Sequence, residues 1–300
     1  MVDLVIVGSI GLDDIKTPYG EAKGVLGGSV VYAGFAASFF SRPGVVGIIG
    51  SDFSEDYLIE MKNNNIDISG IELSREKTFR WGGVYSEDVN NRETTKLELN
   101  AFSSFQPKIP QTYKSTKYLF LGNISPSLQI DVLRQVNEPD FVVADTMNYW
   151  IENDRDGVIE IIKNVDAVVL NDSEAKQLFS STNIVQCANN ILSLGPKYAI
   201  IKKGEHGSIL FSGGKKFIAP AYPLEKVLDP TGAGDSFAGG MLGYIAKTKD
   251  VSERNMRKAI MYGSVIASYN AEGFSVNKIK SITKEDIENR FNELREMREF

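Results

Sequence analysis

The most informative segment of the chain is residues 229–240, which read Asp-Pro-Thr-Gly-Ala-Gly-Asp-Ser-Phe-Ala-Gly-Gly. Three small residues, Gly232, Ala233 and Gly234, directly precede Asp235, and the apolar residues after them recur at a helical spacing. This pattern predicts a tight turn that opens into a helix, whose first N–H groups and dipole favour a bound anion. Because a carboxylate would repel a phosphate, we expect Asp235 to hold or deprotonate the hydroxyl group that attacks the phosphate. The segment therefore predicts phosphoryl transfer.

A glycine-rich turn before a helix is common, and an acidic residue there is often only a favourable dipole contact. The complete run is more specific, and it resembles the second signature of the ribokinase-like, or PfkB, family of carbohydrate and nucleoside kinases. Only Pro230 departs from the core of that signature, where Thr is frequent. The resemblance implies an α/β fold with a ribokinase-like three-layer α/β/α core, a mainly parallel central sheet and a small β-sheet lid. It also implies ATP and Mg²⁺ as cofactors.

Composition narrows the class of protein. The chain has 300 residues, of which 42% are hydrophobic and 24% charged, as in an ordinary globular protein. A net charge of −6 gives no basic footprint for nucleic acid, and no apolar run is long enough to span a membrane. The single cysteine, Cys187, and the absence of a leader-like start favour a cytoplasmic protein. His206 is the only histidine, so a multi-histidine zinc site is excluded.

Short apolar runs alternate with helical patterns along most of the chain. This alternation predicts a mainly parallel sheet covered on both faces, with ligands bound beyond the carboxyl ends of its strands. The runs that we interpret as strands are residues 4–7, 45–49, 118–121, 141–144, 167–170 and 198–201.

One region breaks this rhythm. Residues 77–98 suit two antiparallel strands around a turn at 88–91, and residues 12–25 could pair with them. The resemblance implies that residues 1–300 form one kinase domain, with lid strands inserted at about 12–25 and 77–99. A lid would keep an activated phosphate from water, whereas the alternative is a surface hairpin without function. Exposed strand edges need cover, so a homodimer through the lid is plausible.

The resemblance also implies an acceptor site. Asp13 follows the first strand and aligns with the acid that holds two substrate hydroxyl groups, and Gly27 and Gly28 would let the backbone approach the substrate. Family members mostly carry Asn four residues later, where this chain has Val31 and Tyr32, and the bulk of Tyr32 suggests a larger or differently shaped substrate. We expect Asn123, after another strand, to face the same pocket.

Metal placement is expected at two points. Asn171 and Glu174 resemble the element that orders waters around magnesium, although the same pair also forms a near capping box. Asp229 and Thr231 match positions that coordinate a monovalent cation, usually K⁺, beside the anion site. Such a cation would strengthen the local positive field.

Nucleotide contacts are expected from three segments. Gly204 and Gly207 resemble a glycine turn that lies against ATP. Lys202 could reach a phosphate, and the alternative is a solvated lysine. The resemblance places Asn270 beside the adenine. The family often has Asp-x-Asn followed by Arg after one strand; this chain has Asp145 and Asn148 there but no nearby matching Arg.

These observations predict an ATP-dependent phosphotransferase that phosphorylates a hydroxymethyl group of a small sugar or sugar-like substrate. The helix N-terminus should lower the pKa of Asp235 and make it a weak base. One alternative is a nucleoside kinase that stacks a base on Phe79, Trp81 and Tyr32, and another is a ligand sensor without catalysis. A dinucleotide-binding oxidoreductase is excluded because the first strand is not followed by Gly-x-Gly-x-x-Gly.

Overall fold

The computed structural model describes residues 2–89 and 92–299 of the chain. The strands of a large sheet are β1 (Leu4–Val7), β4 (Pro43–Ile49), β5 (Asp67–Leu73), β8 (Tyr118–Leu121), β9 (Phe141–Asp145), β10 (Ala167–Asn171), β11 (Tyr198–Lys202), β12 (Ser208–Ser212) and β13 (Lys215–Ala219). Those of a smaller sheet are β2 (Gly11–Thr17), β3 (Gly20–Gly27), β6 (Phe79–Tyr85) and β7 (Arg92–Glu98). The helices are α1 (Ser29–Ser38), α2 (Glu55–Asn63), α3 (Pro126–Leu133), α4 (Asn148–Asn153), α5 (Arg155–Lys163), α6 (Asp172–Phe179), α7 (Ile184–Ser193), α8 (Ala233–Thr248), α9 (Glu253–Ala271), α10 (Asn277–Ser281) and α11 (Lys284–Glu296).

The large sheet has the strand order β13-β12-β11-β10-β9-β8-β1-β4-β5. Its neighbours from β11 to β5 are parallel, and β12 and β13 add two antiparallel strands at one edge. The central strands are buried throughout, as both-face coverage requires. The mainly parallel sheet expected from the alternating runs is therefore confirmed.

Two hydrophobic clusters cover the two faces of the large sheet. Leu4 and Ile6 of β1 pack in one cluster with α1, α8 and α9, whereas Val5 and Val7 pack in the other with α5, α6 and α7. Alternate residues of β1 thus face opposite sides of the large sheet. The sheet and the helices packed on each side of it form three layers. Within the described part of the chain, no helix is both long and apolar enough to cross a bilayer.

The smaller sheet has the order β3-β2-β6-β7. β6 and β7 are antiparallel, as residues 77–98 suggested, and β2 pairs with β6 in parallel. Two separate chain segments therefore build this sheet, and it lies over the turn that precedes α8, because Tyr85 contacts Thr231. The turn expected at 88–91 includes Asn90 and Asn91, which lie outside the described residues.

Candidate active site

The carboxyl ends of β9, β10 and β11 bring three polar side chains to one edge of the large sheet. Asp145, Asn171 and Lys202 are the last residues of these strands, and neighbouring strands place them side by side. The N-terminus of α8 lies against the same edge, because a Cβ atom on Gly234 would lie 2.9 Å from the Nζ of Lys202. The anion turn and the strand ends thus form one site.

The turn before α8 requires glycine at its tightest point. Gly232 has φ 75° and ψ 0°, and a Cβ atom on it would lie 2.2 Å from Cγ of Tyr32. The N–H of Ala233 donates to the Pro230 carbonyl at 3.1 Å, whereas those of Gly232 and Gly234 have no acceptor among the described residues. No side chain caps this helix. The two free amides and the helix dipole suit an anion, as the sequence predicts.

Asp235 lies in the first turn of α8. Burial and the Asp145 carboxylate raise its pKa from 3.8 to about 7, against the lowering effect of Lys202 and Arg92. The expectation of a lowered pKa is wrong, because desolvation and a neighbouring carboxylate outweigh the helix N-terminus. A carboxyl group with a pKa near neutrality is a stronger base than a free aspartate and suits general-base chemistry.

Lys202 is the central cation of the site. Its Nζ lies 3.5 Å from Oδ2 of Asp145, and both side chains are mostly buried. Burial alone would lower the pKa of Lys202, but Asp145, Glu174 and Asp235 raise it. The lysine is therefore charged, and its position beside Gly234 fits the expectation that it reaches a phosphate.

Asn171 and Glu174 form a complete capping box at the start of α6. The Asn171 N–H donates to Glu174 Oε2, and the Glu174 N–H donates to Asn171 Oδ1, both at 2.8 Å. Burial and Asp145 raise the pKa of Glu174 to about 7. The capping box, which the sequence analysis gave as the alternative to a magnesium role, is therefore present. It uses only one carboxylate oxygen of Glu174, Oε2.

The expected acceptor residues lie where β2, β3 and α1 meet. Asp13 packs on Gly27, where a Cβ atom would lie 2.0 Å from the carboxylate, and Gly28 with φ 99° approaches the backbone of Ser9. Burial, then Asp229 and Asp235, raise the pKa of Asp13 to about 8. We therefore expect Asp13 to be either protonated or ionised with hydrogen bonds from hydroxyl groups.

Tyr32 is fully buried beneath the turn, so its ring is not a stacking surface for a base. Its hydroxyl lies near enough to Asp13 to lower the pKa of that carboxyl group, yet forms no well-aligned hydrogen bond among the described residues. Phe79 packs on Phe102 with ring centroids 5.3 Å apart. Of the three aromatic residues expected to stack a base, Phe79 and Trp81 stay partly exposed, and Trp81 is the register partner of Asp13.

Asp229 and Thr231 lie in the same turn, directly before α8. Asp229 is completely buried and accepts N–H groups from Thr231 at 2.9 Å and Ser275 at 3.4 Å. Burial raises its pKa. No described lysine or arginine pairs with this carboxylate, so a monovalent cation would stabilise it.

Two side chains that the sequence assigned to ligands, Asn270 and Asn123, hydrogen-bond to other parts of the protein instead. Asn270 is fully buried, donates to the Thr231 carbonyl at 2.7 Å and accepts from Ser236, so its side chain is not available to a nucleotide. Asn123 accepts from Trp150 at 3.1 Å and donates to Met147. The geometry does not support a ligand contact for either residue, because the amide oxygen and the amide nitrogen of each side chain already have partners within the protein.

A tight turn with two glycines follows β11, where the sequence predicts a glycine turn. Gly204 and Gly207 have φ 55° and 80°. A Cβ atom on Gly207 would lie 2.0 Å from the Ala219 carbonyl, so this glycine is required by packing against β13. The glycine at position 207 therefore has a structural reason that is independent of any nucleotide.

Tyr85 and Arg92 of the smaller sheet lie near the site, although the sequence analysis assigned no role to either residue. The Tyr85 hydroxyl lies 2.9 Å from that of Thr231, and Arg92, its register partner, lies over the Trp81 ring at 5.4 Å. Strand alternation places Tyr85 on the same face of β6 as Trp81, and this signal could have identified Tyr85 as a site residue.

Comparison with known proteins identifies relatives of the whole fold. The model of the pfkB family carbohydrate kinases matches residues 26–280. A cytidine kinase of Thermococcus kodakarensis is 29% identical over 84% of this chain and 92% of that protein. The structure of the Methanocaldococcus jannaschii nucleoside kinase, an archaeal member of the ribokinase family, covers 97% of this chain and 99% of its own at a TM-score of 0.77 and 20% identity.

The Burkholderia thailandensis nucleoside kinase, solved in complex with inosine, covers 97% of this chain and 98% of its own, at a TM-score of 0.77 and 20% identity. These likenesses, with the layers described above, confirm the ribokinase-like α/β fold with its additional small sheet.

Proposed function

The chain belongs to the pfkB family of carbohydrate kinases, and from this premise we propose that it transfers the γ-phosphoryl group of ATP to a hydroxymethyl group of a nucleoside. The observation that carries the proposal is the position of Asp235 in the first turn of α8, beside two free amides and the charged Lys202. A base and an anion cradle at one point are the groups that phosphoryl transfer needs.

A nucleoside is favoured over a simple sugar as the acceptor. The cytidine kinase of T. kodakarensis aligns over most of both chains, and the two nucleoside kinase structures share the fold over nearly their whole length. The sequence alone favoured a sugar, with the nucleoside as its alternative. The partly exposed Trp81, on the face of the smaller sheet that carries Asp13, provides an aromatic surface for a base.

In the proposed reaction the acceptor oxygen attacks the γ-phosphorus of ATP, and its proton passes to the Asp235 carboxylate. The bond from the γ-phosphorus to the β–γ bridging oxygen breaks and releases ADP. Lys202 and the amides of Gly232 and Gly234 stabilise the charge on the transferring group. Asp13 accepts hydrogen bonds from acceptor hydroxyl groups and fixes the acceptor, while the smaller sheet excludes water.

Magnesium fits the residues at the strand ends. The described residues hold no cluster of three or more acidic, histidine or cysteine ligands, so a cage made by protein alone is excluded there. Magnesium normally keeps several waters and binds substrate phosphates, which requires only one or two carboxylates. Glu174, with a carboxylate oxygen outside the capping box, and Asn171 would hold such waters. The ion would supply charge neutralisation on the phosphates.

The direct test is ATP consumption, with magnesium and with or without potassium, across nucleosides, sugars, sugar phosphates and polyols. We expect one or a few nucleosides to be phosphorylated far faster than any sugar. A sugar as the best acceptor would contradict the nucleoside proposal and restore the sugar kinase. Tight ligand binding in a thermal-shift assay without any turnover would support a sensor instead.

A further inference from the structure

A cavity between α9, the end of α11 and β13 is lined mainly by cations and aromatic rings. Its volume is about 350 Å³, which lies in the size range of small-molecule sites. No described Asp or Glu is among the lining residues. The cations that line it are Arg254, Arg257, Lys258, Arg295 and Arg298. Five positive side chains thus share one cavity in a chain whose net charge is −6.

Most of this positive charge is not neutralised by the protein. Arg257 is ion-paired with Glu253, and Arg295 lies 3.9 Å from the carboxylate of Glu299. The other three cations have no carboxylate within ion-pair distance in the described part of the chain; they are Arg254, Lys258 and Arg298, and all three are exposed. Their N–H groups are therefore free to bind an anion.

Arg254 and Lys258 occupy positions that α9 itself disfavours. Arg254 lies in the first turn of the helix, directly after Glu253, where the helix dipole repels a cation. Lys258 lies four residues later on the same face, so the two positive charges also repel each other. Helix stability explains Arg298, which follows the C-terminus of α11, but it does not explain these two residues. An anion bound between them would offset both repulsions.

The aromatic residues of the cavity orient the cations and leave an apolar surface. Both Arg257 and Arg298 place their guanidinium groups over the Phe217 ring, at 5.4 and 4.9 Å from its centre. Three further rings of the lining form a stack, with centroids 4.4 and 4.2 Å apart along the order Tyr244, Tyr262 and Phe291. The two outer rings of this stack are only partly buried, so a flat apolar group can pack against them.

We propose that this cavity is a second ligand site, for a compound with the chemistry of a nucleotide: phosphate groups joined to a flat aromatic ring. Arg254, Lys258 and Arg298 bind the phosphate oxygens, and the aromatic part packs against the ring stack. The site is separate from the proposed active site. Arg254 and Asn270, which supports the anion turn, lie near opposite ends of α9, about 24 Å apart at about 1.5 Å per residue. The proposal therefore does not depend on the kinase function.

Calorimetry with ADP as the probe tests the site. ADP should bind the wild type at two sites per chain, one of which is the proposed active site. In the double variant Arg254→Gln with Lys258→Gln, the affinity of one site should fall at least about tenfold, because hydrogen bonds to charged groups are lost. The matched control is Lys62→Gln with Lys284→Gln, which removes two exposed helical lysines elsewhere and should leave both sites unchanged. Pyrophosphate and ribose 5-phosphate lack an aromatic ring and should bind this site more weakly than ADP.

Photolabelling locates the second site directly. Irradiation of the wild type with 2-azido-ADP, followed by mass spectrometry, should place label on the peptide that contains Tyr244 or Phe291. The Arg254→Gln, Lys258→Gln variant should lose this label and keep any label at the proposed active site. The label at Tyr244 or Phe291 would support the proposal even if no acceptor is phosphorylated and the proposed kinase function fails.

Several results would overturn the proposal. One is a single ADP site that the double variant leaves unchanged, with no label at Tyr244 or Phe291. Another is pyrophosphate binding as tightly as ADP, which would remove the rings from the site. Binding of heparin without binding of ADP would indicate a polymeric partner instead.

Thermal unfolding without ligand separates a ligand-binding role of the cations from a structural one. The Arg254→Gln, Lys258→Gln variant should unfold at the same temperature as the wild type or higher, because it removes a cation from the first turn of α9. A lower unfolding temperature would show that these cations stabilise the fold, and it would overturn the proposal.

Discussion

The phenolic oxygen of Tyr85 lies 2.9 Å from the hydroxyl oxygen of Thr231, and this contact joins the smaller sheet to the turn at the N-terminus of α8. Both hydroxyl groups are buried, so neither can exchange its partner for water without movement of the sheet. The Thr231 carbonyl is held on the other side by Asn270. The anion turn is therefore fixed from the sheet above and from α9 below.

Tyr85→Phe tests this connection. The change leaves the Thr231 hydroxyl without its partner, and we expect a stability loss of about 1 kcal/mol together with a raised acceptor KM. Chemical denaturation and steady-state kinetics measure the two effects. Tyr113→Phe is a matched control, because Tyr113 donates to Asp67 far from the site. It should lose similar stability and keep the wild-type KM; a changed KM in the control would argue against a specific role for Tyr85.

Asp235→Asn should lower kcat by at least about 100-fold, the lower scale for loss of a general base, and should retain ATP binding. For the wild type, a pKa of about 7 predicts that kcat rises through neutral pH as Asp235 loses its proton. Steady-state kinetics from pH 5.5 to 9 checks both statements. Turnover near the wild-type rate would remove Asp235 from the mechanism.

The same raised pKa has a consequence for stability. The folded chain binds the Asp235 proton more tightly than the unfolded chain, so this group reduces stability progressively as the pH rises from 3.8 to about 7. Asp235→Asn removes that cost, and its unfolding temperature at pH 8 should equal or exceed that of the wild type. A large drop in unfolding temperature would instead indicate that the carboxylate is structural.

Tyr32→Phe removes a buried hydroxyl that has no well-aligned partner. The free protein should therefore keep its stability or gain slightly, because no good hydrogen bond is lost. If the hydroxyl contacts the acceptor, kcat/KM should fall about tenfold and the thermal shift caused by the acceptor should shrink. Unchanged kinetics combined with lowered stability would show that the hydroxyl serves the core and not the substrate.

Because the Asp229 carboxylate is buried, we expect the stability of the protein to depend on monovalent cations. Potassium should raise the unfolding temperature relative to choline at equal ionic strength, because a cation beside this buried carboxylate offsets its desolvation. Asp229→Asn should abolish the difference between the two salts. Identical unfolding temperatures of the wild type in both salts would exclude a cation at this position.

The central strands were predictable and the edge strands were not. The runs at 4–7, 118–121 and 167–170 are strands because burial on both faces demands continuous apolar sequence. β5 and β13 were missed, and they are the two edges of the large sheet. Their sequences include Ser69, Glu72 and Lys215, since an edge strand meets water and carries polar residues that weaken the apolar pattern.

The site was predictable where backbone geometry determines it. Gly232 is a turn residue and Asp235 a first-turn residue because the spacing of residues 229–240 permits little else. The pKa of Asp235 was not predictable, because its neighbour Asp145 is 90 positions away in the chain and is brought close only by the sheet. Tyr85 was missed for the same reason, since the packing of the smaller sheet and not sequence proximity brings its hydroxyl to Thr231.

The separation of the two sheets has a consequence for how this fold can change over evolutionary time. The groups proposed to bind phosphate lie mostly on the ends of the large sheet and on α8, whereas Asp13 and Trp81 lie on strands of the smaller one. Substitutions on that smaller surface can therefore alter which alcohol is accepted without disturbing the donor machinery. Tyr85 limits this independence, because a lineage that reshapes the smaller sheet for a new acceptor must keep the hydroxyl that contacts Thr231 in the turn before α8.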